Sequence, residues 1–273
     1  MEFVASQISM EEIAPLLPRT LVLVAHPDDE AVGCGTLLQR MRNSLVIFAT
    51  DGAPRDEYFW GKYGSREAYA QLRRQEARLV MGLAGVQRIE FLNADGEYFL
   101  DQALFRSLPA AFESLSGIIE RETPQALLTL AYEGGHPDHD TCSFLASVLA
   151  RRYSLPNWEF PLYFRSDDGS TDFQQHFRMT NGHELIVHPT PVEEQTKRRM
   201  LEAYRSQGEI LKNFSSAVEW FRPQEKYDYS QAPHAGPLNY EDWGWPMKGA
   251  DVCAAFTEFL RSREAALAQR KAS

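Results

Sequence analysis

Short apolar runs alternate with helical patterns through the first half of the chain. The run at 21–25 contains only Leu, Val and Ala, which is typical of a strand buried on both faces of a sheet. Further strands are predicted at 45–49, 88–92 and 126–130, and helices at 30–42, 65–83, 103–122 and 140–152. We therefore predict an α/β fold with a Rossmann-like, mostly parallel sheet and helices on both faces.

The pattern changes after residue 152. It predicts strands at 158–164 and 184–188, a turn or hairpin at 166–172 and a helix at 192–214, whereas 224–248 has no period. No linker or low-complexity segment interrupts the chain. We predict one domain over residues 1–273, with a core at about 18–214. An aromatic-rich C-terminal extension at 215–273 completes it, and the elaboration beyond the first half contains short strands and a helix.

Composition and charge narrow the class of protein. Hydrophobic residues make up 44% of the 273 positions, which is enough for a sizeable core and argues against a disordered or fibrous chain. Lys and Arg total 28 against 38 Asp and Glu, and no basic run is present, so we expect no nucleic-acid partner. No apolar stretch approaches the roughly 18 residues of a membrane span.

The N-terminus and the cysteines indicate the cellular compartment. The first residues, including Glu11 and Glu12, lack the basic and apolar regions of a secretory signal. Cys34, Cys142 and Cys253 form no Cys-x-x-Cys pair, so neither a disulfide framework nor a zinc-thiolate site is indicated. We expect reduced thiols and a cytoplasmic protein.

Two loops that follow predicted strands contain metal-ligand side chains. The first reads Ala-His-Pro-Asp-Asp-Glu from residue 25, and the second reads Gly-His-Pro-Asp-His-Asp from residue 135. Ligands of parallel sheets bind beyond the carboxyl ends of the strands. Catalytic zinc takes three His, Asp or Glu ligands and leaves a position for water. His26 and Asp29, with one histidine of the second loop, supply that set.

Hydrolysis of an amide needs a base and an acid besides the metal. Asp28 lies between the two ligands of the first loop and is free to act as the base. His136, three residues before His139, is free to act as an imidazolium toward the developing oxyanion or as a proton donor. The alternative is that Asp28 and Asp29 only cap the following helix. Two such loops, each after a buried strand, favour the metal site.

These motifs resemble those of the PIG-L/LmbE-type zinc-dependent N-acetylglucosamine deacetylases, whose hallmarks are A-H-P-D-D-E after the first strand and H-P-D-H further on. Three more motifs are similar to the family's: T-D-G at 50–52, R-x-x-E at 73–76, and a lysine at 197 followed by Y-x-S-Q at 204–207. The resemblance covers most of residues 18–214.

The resemblance implies a site and a reaction. The metal ligands fall on His26, Asp29 and His139, the general base on Asp28, and the acid or oxyanion stabiliser on His136. The implied cofactor is Zn²⁺, although this donor set accepts other divalent ions. The implied reaction is attack by metal-bound water on the amide carbonyl of an N-acetyl or small N-acyl group, carried by an amino sugar or glycoconjugate.

The resemblance also suggests substrate-binding residues. Arg55 and Asp95, on loops after the second and third strands, could hold sugar hydroxyls. Some members of the family have an oxyanion-binding tyrosine two residues before the second motif. Here Gly134 occupies that position, and we do not assume that the nearby Tyr132 replaces it.

Two other functions stay open on the sequence alone: a metal-dependent amidase that acts on a non-sugar amide, and a non-catalytic sugar- or nucleotide-binding α/β module. Glycines at 33 and 35 fit part of a dinucleotide fingerprint, but Leu38 occupies the third glycine position. We expect those small residues to allow close packing behind the metal. The aromatic residues at 227–245 could line a sugar or acyl site, form a small core or form the contact of a homo-oligomer.

Overall fold

The computed structural model describes residues 13–41 and 43–272. The N-terminal residues on which the expectation of no secretory signal depends lie outside the described residues, as does Arg42, the predicted end of the first helix. Within the described ranges, no helix combines the length and the apolar character that crossing a membrane requires.

The strands follow the predicted alternation. In chain order they are β1 (Thr20–Val24), β2 (Leu45–Phe48), β3 (Arg88–Phe91), β4 (Asn93–Ala94), β5 (Glu97–Tyr98), β6 (Ala126–Leu130), β7 (Asn157–Phe160), β8 (Phe164–Arg165), β9 (Thr171–Asp172), β10 (Leu185–Val187) and β11 (Glu219–Pro223). Seven of them form the central sheet, in the order β10-β11-β7-β6-β1-β2-β3. The other four form two hairpins, β4-β5 and β8-β9. The second hairpin lies where the sequence predicts a turn or hairpin.

The helices surround this sheet. They are α1 (Asp29–Arg40), α2 (Glu57–Trp60), α3 (Arg66–Ala84), α4 (Leu108–Glu122), α5 (Pro137–Tyr153), α6 (Pro191–Ala203), α7 (Gly208–Leu211), α8 (Asn239–Asp242) and α9 (Gly249–Ala272). Single 3₁₀ turns lie at Ala14–Leu16, Gly61–Tyr63, Leu104–Ser107 and Arg205–Gln207. Helices α1, α3 and α6 contact one another, and α4, α5 and α9 form a second contacting group.

The topology positions the two motif loops. Strands β7, β6, β1, β2 and β3 pair in parallel. Strand β11 is antiparallel to both of its neighbours, β7 and β10. The chain runs outward from β1 to β3 on one side and from β6 to β7 on the other. The switch point of the sheet therefore lies between β1 and β6, where parallel sheets bind their ligands. The predicted α/β class with a mostly parallel sheet is confirmed.

Helix α5 begins earlier than the sequence pattern predicts. It starts at Pro137 rather than at residue 140. Proline lacks a backbone N–H and its φ suits the first helical position, so Pro137 begins the helix instead of lying in a loop. His136 is the N-cap, and its Nδ1 accepts the backbone N–H of Asp138 at 3.1 Å. His139 consequently lies in the first helical turn, which gives its side chain a defined direction.

The helix predicted at 192–214 is interrupted. It ends at Ala203, and a 3₁₀ turn and the short α7 follow. The Tyr204 hydroxyl donates to Glu30 at 2.5 Å, and Ser206 donates to Glu76 through its backbone N–H at 3.0 Å. These tertiary hydrogen bonds stabilise a non-helical backbone after Ala203, although the apolar period predicts that the helix continues to residue 214.

The sheet continues beyond residue 214, because β11 inserts between β7 and β10. Neither β11 nor α9 is among the predicted elements. The sequence of β11 is Glu-Trp-Phe-Arg-Pro. Because it contains two charged residues and a proline, it lacks the apolar pattern that predicts a buried strand. Glu219 and Arg222 are both buried there, each with an ion-pair partner, Lys197 at 2.7 Å and Glu159 at 2.7 Å.

Helix α1 packs unusually close to the sheet. A Cβ added at Gly33 would lie 2.2 Å from the ring of Phe160, so only glycine fits there. The helix is non-helical at Cys34. The N–H groups of Thr36 and Leu37 donate to the Glu219 carboxylate at 2.6 and 2.9 Å. Gly33 therefore allows the close packing of α1 against the sheet that the sequence predicts.

Candidate metal centre and active site

Two neighbouring strands deliver the predicted site residues to one place. His26, Asp28, Asp29, His136 and His139 all line a single cavity of about 450 Å³. The first three follow β1, and the other two follow β6 at the start of α5. All five side chains are buried. The two His-Pro-Asp motifs thus form one site, as the sequence predicts.

The loop after β1 is held by its own carboxylates. Asp29 accepts the backbone N–H groups of His26 at 2.8 Å and Ala25 at 3.1 Å, and Glu30 accepts that of Asp28 at 3.0 Å. Asp28 has a φ of 137°, a region that costs a non-glycine residue about 1–3 kcal/mol. Its side chain makes no capping hydrogen bond to α1. Asp28 is therefore the N-cap residue of α1 but does not cap the helix through its side chain.

Asp29 lies between two histidines. Its carboxylate oxygens are 3.6 Å from Nδ1 of His26 and 3.3 Å from Nε2 of His139. His139 is 1% exposed, yet neither of its ring nitrogens has a hydrogen-bond partner. Burial opposes ionisation of Asp29, but the two histidines outweigh it and hold its pKa well below the usual range. An ionised carboxylate beside buried, unpartnered imidazole nitrogens fits a divalent cation.

A second arrangement of donors overlaps the first. Within the described part of the chain, ring nitrogens of His26, His136 and His139 lie within 4.8 Å of one another, as do donors of His26, His136, Asp101 and Asp138. His136 is thus close enough to be a ligand itself. Its Nδ1 accepts the Asp138 backbone N–H, whereas both nitrogens of His139 are free of such bonds. That difference favours His139 over His136 as a ligand.

The surroundings of His136 disfavour its charged form. Burial, and then the nearby His26, lower the pKa of His136 to about 4. The hydrogen bond accepted by Nδ1 assigns the ring proton to Nε2. The lowered pKa favours a neutral Nε2–H donor over the predicted imidazolium, and the role of His136 stays a prediction. Burial explains the lowered pKa, because it disfavours the charged form.

Asp101 and Asp138 belong to the site, although no role for them was predicted. Asp101 lines the cavity, and one of its oxygens lies 3.4 Å from Nε2 of His26 and 3.5 Å from Nε2 of His136. Asp138 accepts the backbone N–H groups of Gln102 at 2.7 Å and Leu104 at 3.0 Å. Asp138 therefore ties the Asp101 loop to the second motif. Its place in His-Pro-Asp was a usable signal, whereas nothing local marks Asp101.

Arg73 holds the proposed base. Its guanidinium donates to Asp28 Oδ2 at 2.8 Å, to the Gly52 carbonyl at 2.5 Å and to the Pro27 carbonyl. A Cβ at Gly52, where φ is +63°, would lie 2.7 Å from the Pro27 ring. Burial raises the pKa of Asp28 to about 7 against the opposing charge of Arg73. The T-D-G turn and the R-x-x-E helix are thus parts of the Asp28 environment.

The remaining motif residues form hydrogen bonds that support the surroundings of Asp28 and Arg73. Glu76, one turn after Arg73, accepts both the backbone N–H and the hydroxyl of Ser206. Gln207 donates to the hydroxyl of Tyr69. The Y-x-S-Q segment therefore supports α1 and α3 and contributes Gln207 to the cavity wall.

Two predicted substrate-binding residues lie away from the cavity lining. Arg55 is exposed between Pro54 and Asp56, which do line the cavity. Asp95 is exposed in the turn between β4 and β5, at a φ of +52°. The structure does not bring either side chain to the five central residues, and their roles stay predictions.

Other candidate residues have structural surroundings. The hydroxyl of Tyr132 donates to the Gln231 carbonyl at 2.7 Å, and this tyrosine is not among the lining residues. The three cysteines are free and buried. The aromatic C-terminal region divides: Tyr229 and Tyr240 are buried in the core, while Trp243 and Trp245 line the cavity.

Comparison with solved structures shows the fold. A triple mutant of a deacetylase involved in the teicoplanin biosynthetic pathway is 20% identical, with a TM-score of 0.60 over 77% of this chain and 99% of that one. The N,N'-diacetylchitobiose deacetylase from Pyrococcus horikoshii, in complex with an inhibitor, is 21% identical, with a TM-score of 0.52 over 80% and 94%. A 4-carboxy-2-hydroxymuconate hydratase from Pseudomonas putida is 17% identical, with a TM-score of 0.51 over 71% and 82%.

The fold alone does not decide the reaction, since one of these neighbours is a hydratase. The match to a sequence family indicates the reaction. No curated protein matches this sequence, but the family model for PIG-L, described as GlcNAc-PI de-N-acetylase, matches residues 21–150. That range includes both His-Pro-Asp motifs. Residues 21–150 of this chain match the PIG-L family model, and the protein is an enzyme, a hydrolytic N-deacetylase.

Proposed function

We propose that this enzyme removes an acetyl or other small acyl group from the nitrogen of an amino sugar or glycoconjugate. The proposal rests on one observation: the Asp29 carboxylate lies between two buried histidines, with Asp28 and His136 on the same cavity wall. The family description and the chitobiose deacetylase among the structural neighbours favour an amino sugar.

His26, Asp29 and His139 would hold the metal ion. Their two imidazoles and one carboxylate are the donor types of catalytic zinc sites, so we propose zinc, with other divalent ions as substitutes. When bound, the ion lowers the pKa of a coordinated water and polarises the amide carbonyl.

Asp28 is the proposed general base. Its Oδ2 is held by Arg73, and its pKa of about 7 in the metal-free protein makes it an effective proton acceptor near neutrality. A nearby cation lowers that pKa and keeps the carboxylate ionised. The proton that Asp28 takes from the attacking water is then available to the departing nitrogen.

His136 is the proposed oxyanion donor. Its neutral Nε2–H can donate to the carbonyl oxygen as negative charge develops there. Asp101, 3.5 Å from that nitrogen, helps to orient the ring. We propose this role in place of the predicted imidazolium, because the pKa of His136 is lowered to about 4.

Replacing His136 by alanine is expected to lower kcat by about 10²–10³-fold, the usual effect of losing one oxyanion donor. Zinc content and Tm should stay near those of the wild type, since His139 retains the ligand role. Steady-state kinetics, metal analysis and thermal unfolding measure the three quantities. The exposed His183 provides the control variant, His183→Ala, with unchanged kinetics. An unchanged kcat in His136→Ala would remove this residue from the mechanism.

Acetate release from a panel of N-acetylated compounds tests the proposed function. The panel contains N-acetylglucosamine, its methyl glycoside, N,N'-diacetylchitobiose and non-sugar N-acetyl amides, each assayed with zinc and with a chelator. We expect release from at least one sugar, lost on chelation. Release only from non-sugar amides would overturn the sugar assignment, and release unaffected by chelation would overturn the metal mechanism.

We also propose a cytoplasmic location. The three cysteines are free and buried, as thiols of a reducing compartment commonly are.

A further inference from the structure

The part of the cavity away from the metal site is aromatic. Seven Tyr, Phe and Trp side chains line the cavity, and five of them are together termed the aromatic wall: Tyr163, Phe173, Phe214, Trp243 and Trp245. The ring of Tyr163 lies 5.6 Å from that of Phe173 and 6.1 Å from those of Phe214 and Trp243, and the two tryptophan rings are 5.2 Å apart. The rings therefore form one continuous surface.

The aromatic wall begins at the metal site. Trp245 contacts the ring of His136, with centroids 4.9 Å apart, and Tyr163 contacts that of His139 at 5.3 Å. An amide placed at these histidines would therefore have its neighbouring atoms against the wall.

Exposed apolar side chains continue the wall to the cavity mouth. Trp243 is 41% exposed, Ile210 40% and Tyr58 86%, and all three line the cavity. Large hydrophobic side chains exposed together around one opening are typical of a surface that a ligand covers.

The charges of the cavity argue against an anionic group. Among the described residues that line it, Arg73 is the only lysine or arginine, and its guanidinium is occupied by Asp28 and two backbone carbonyls. Apart from the histidines, the other titratable groups on charged residue types of the lining are carboxyl groups: Asp28, Asp29, Asp56 and Asp101. A phosphate or carboxylate of a substrate would find no free arginine or lysine there.

We propose that the natural substrate carries an uncharged apolar group, alkyl or aryl, that packs against the aromatic wall beside the amide being cleaved. This inference rests on the proposed deacetylase function and narrows its substrate class. The group could belong to an N-acyl chain longer than acetyl, or to an aglycone joined to the sugar.

Two substrate pairs separate these sources in the zinc-loaded enzyme. The first compares the octyl with the methyl glycoside of N-acetylglucosamine, and the second compares N-octanoyl- with N-acetylglucosamine. We expect kcat/KM to rise about 10–100-fold for the octyl member of one pair, as for burying a group the size of a Leu or Phe side chain. The pair that responds identifies the source. Ratios near one in both pairs would overturn the inference.

Variants of the wall test whether it causes the preference. In Trp243→Ala and Phe214→Ala, we expect the octyl-to-methyl or octanoyl-to-acetyl ratio to fall by about tenfold. Tyr98 is an aromatic residue outside the cavity with a matched exposure of 40%, so the ratio should be unchanged in Tyr98→Ala. Far-UV circular dichroism verifies folding. A ratio that survives both wall substitutions in folded protein would contradict the proposal.

A binding measurement separates this inference from the proposed function. The deacetylated octyl glycoside is titrated into the metal-free protein while tryptophan fluorescence is recorded. We expect binding at least tenfold tighter than for the methyl glycoside, and weakened in Trp243→Phe. If no sugar releases acetate, the proposed function fails irrespective of this result. If acetate is released but octyl and methyl glycosides bind equally, the apolar group is not an aglycone, and the inference as a whole fails if the N-acyl pair also gives a ratio near one.

Discussion

Replacing Asp28 by asparagine is expected to lower kcat by about 10²–10⁴-fold, the usual contribution of a general base. Asparagine keeps the size of the side chain and can still accept from Arg73 through its carbonyl oxygen, but it cannot take a proton. Zinc content should therefore be unchanged, because Asp28 is not one of the three proposed ligands. Steady-state acetate release and metal analysis of the purified variant measure both quantities.

The pH dependence of the wild type gives a second readout of the same group. Asp28 must be ionised to accept a proton, so activity is present above its pKa and is lost as the pH falls through it. Burial raises that pKa to about 7 in the metal-free protein, and a bound cation lowers it, so we expect the acidic limb below neutral pH. That limb should be missing from the residual activity of Asp28→Asn.

A matched substitution controls for the loss of a carboxylate in general. Asp168 is exposed on the hairpin between β8 and β9, and Asp168→Asn should have wild-type kinetics. Wild-type turnover in Asp28→Asn with normal zinc would show that Asp28 supports only the loop.

Replacing Asp29 by alanine is expected to abolish activity through loss of the metal. The carboxylate lies between His26 and His139, so its removal deletes one of three ligands and leaves two histidines. Zinc affinity should fall by more than the roughly 10–100-fold that loss of a hydrogen-bonding partner of a ligand typically costs. Equilibrium dialysis with metal analysis measures the affinity.

His136→Ala is the matched variant for this experiment, because the same cluster contains a second geometric possibility. His136 lies with His26 and His139 in a group of ring nitrogens within 4.8 Å of one another. If zinc is bound by three histidines, His136→Ala loses the metal and Asp29→Ala retains it. The opposite result is expected, and the two variants together decide the ligand set.

Much of the site could be predicted from the sequence because its information is local. Each His-Pro-Asp motif follows a wholly apolar run, and the carboxyl ends of parallel strands meet at one edge of a sheet. The motifs after β1 and β6 therefore had to approach each other, and all five predicted residues line one cavity. That residues 1–273 form one domain remains a prediction.

Contacts between distant segments could not be predicted in the same way. Asp101 lies beside His26 and His136 on a loop whose backbone N–H groups donate to Asp51 and Asp138. The break after Ala203 depends on hydrogen bonds from Tyr204 and Ser206 to α1 and α3. The spacing of apolar positions along the chain does not indicate which distant residues will form hydrogen bonds.

By itself, the sequence determined the parallel α/β sheet, the two His-Pro-Asp motifs and the resemblance to the PIG-L family, because apolar runs and short motifs are properties of neighbouring residues. Only the tertiary structure decided the protonation state of His136, the environment of Asp28 and the position of the aromatic wall. Burial sets the first two, since a pKa depends on the surrounding charges and on access of water. The position of the aromatic wall depends on β8, β9, α7 and the loop after α8. These elements are far apart in the chain, and the fold brings them to one cavity.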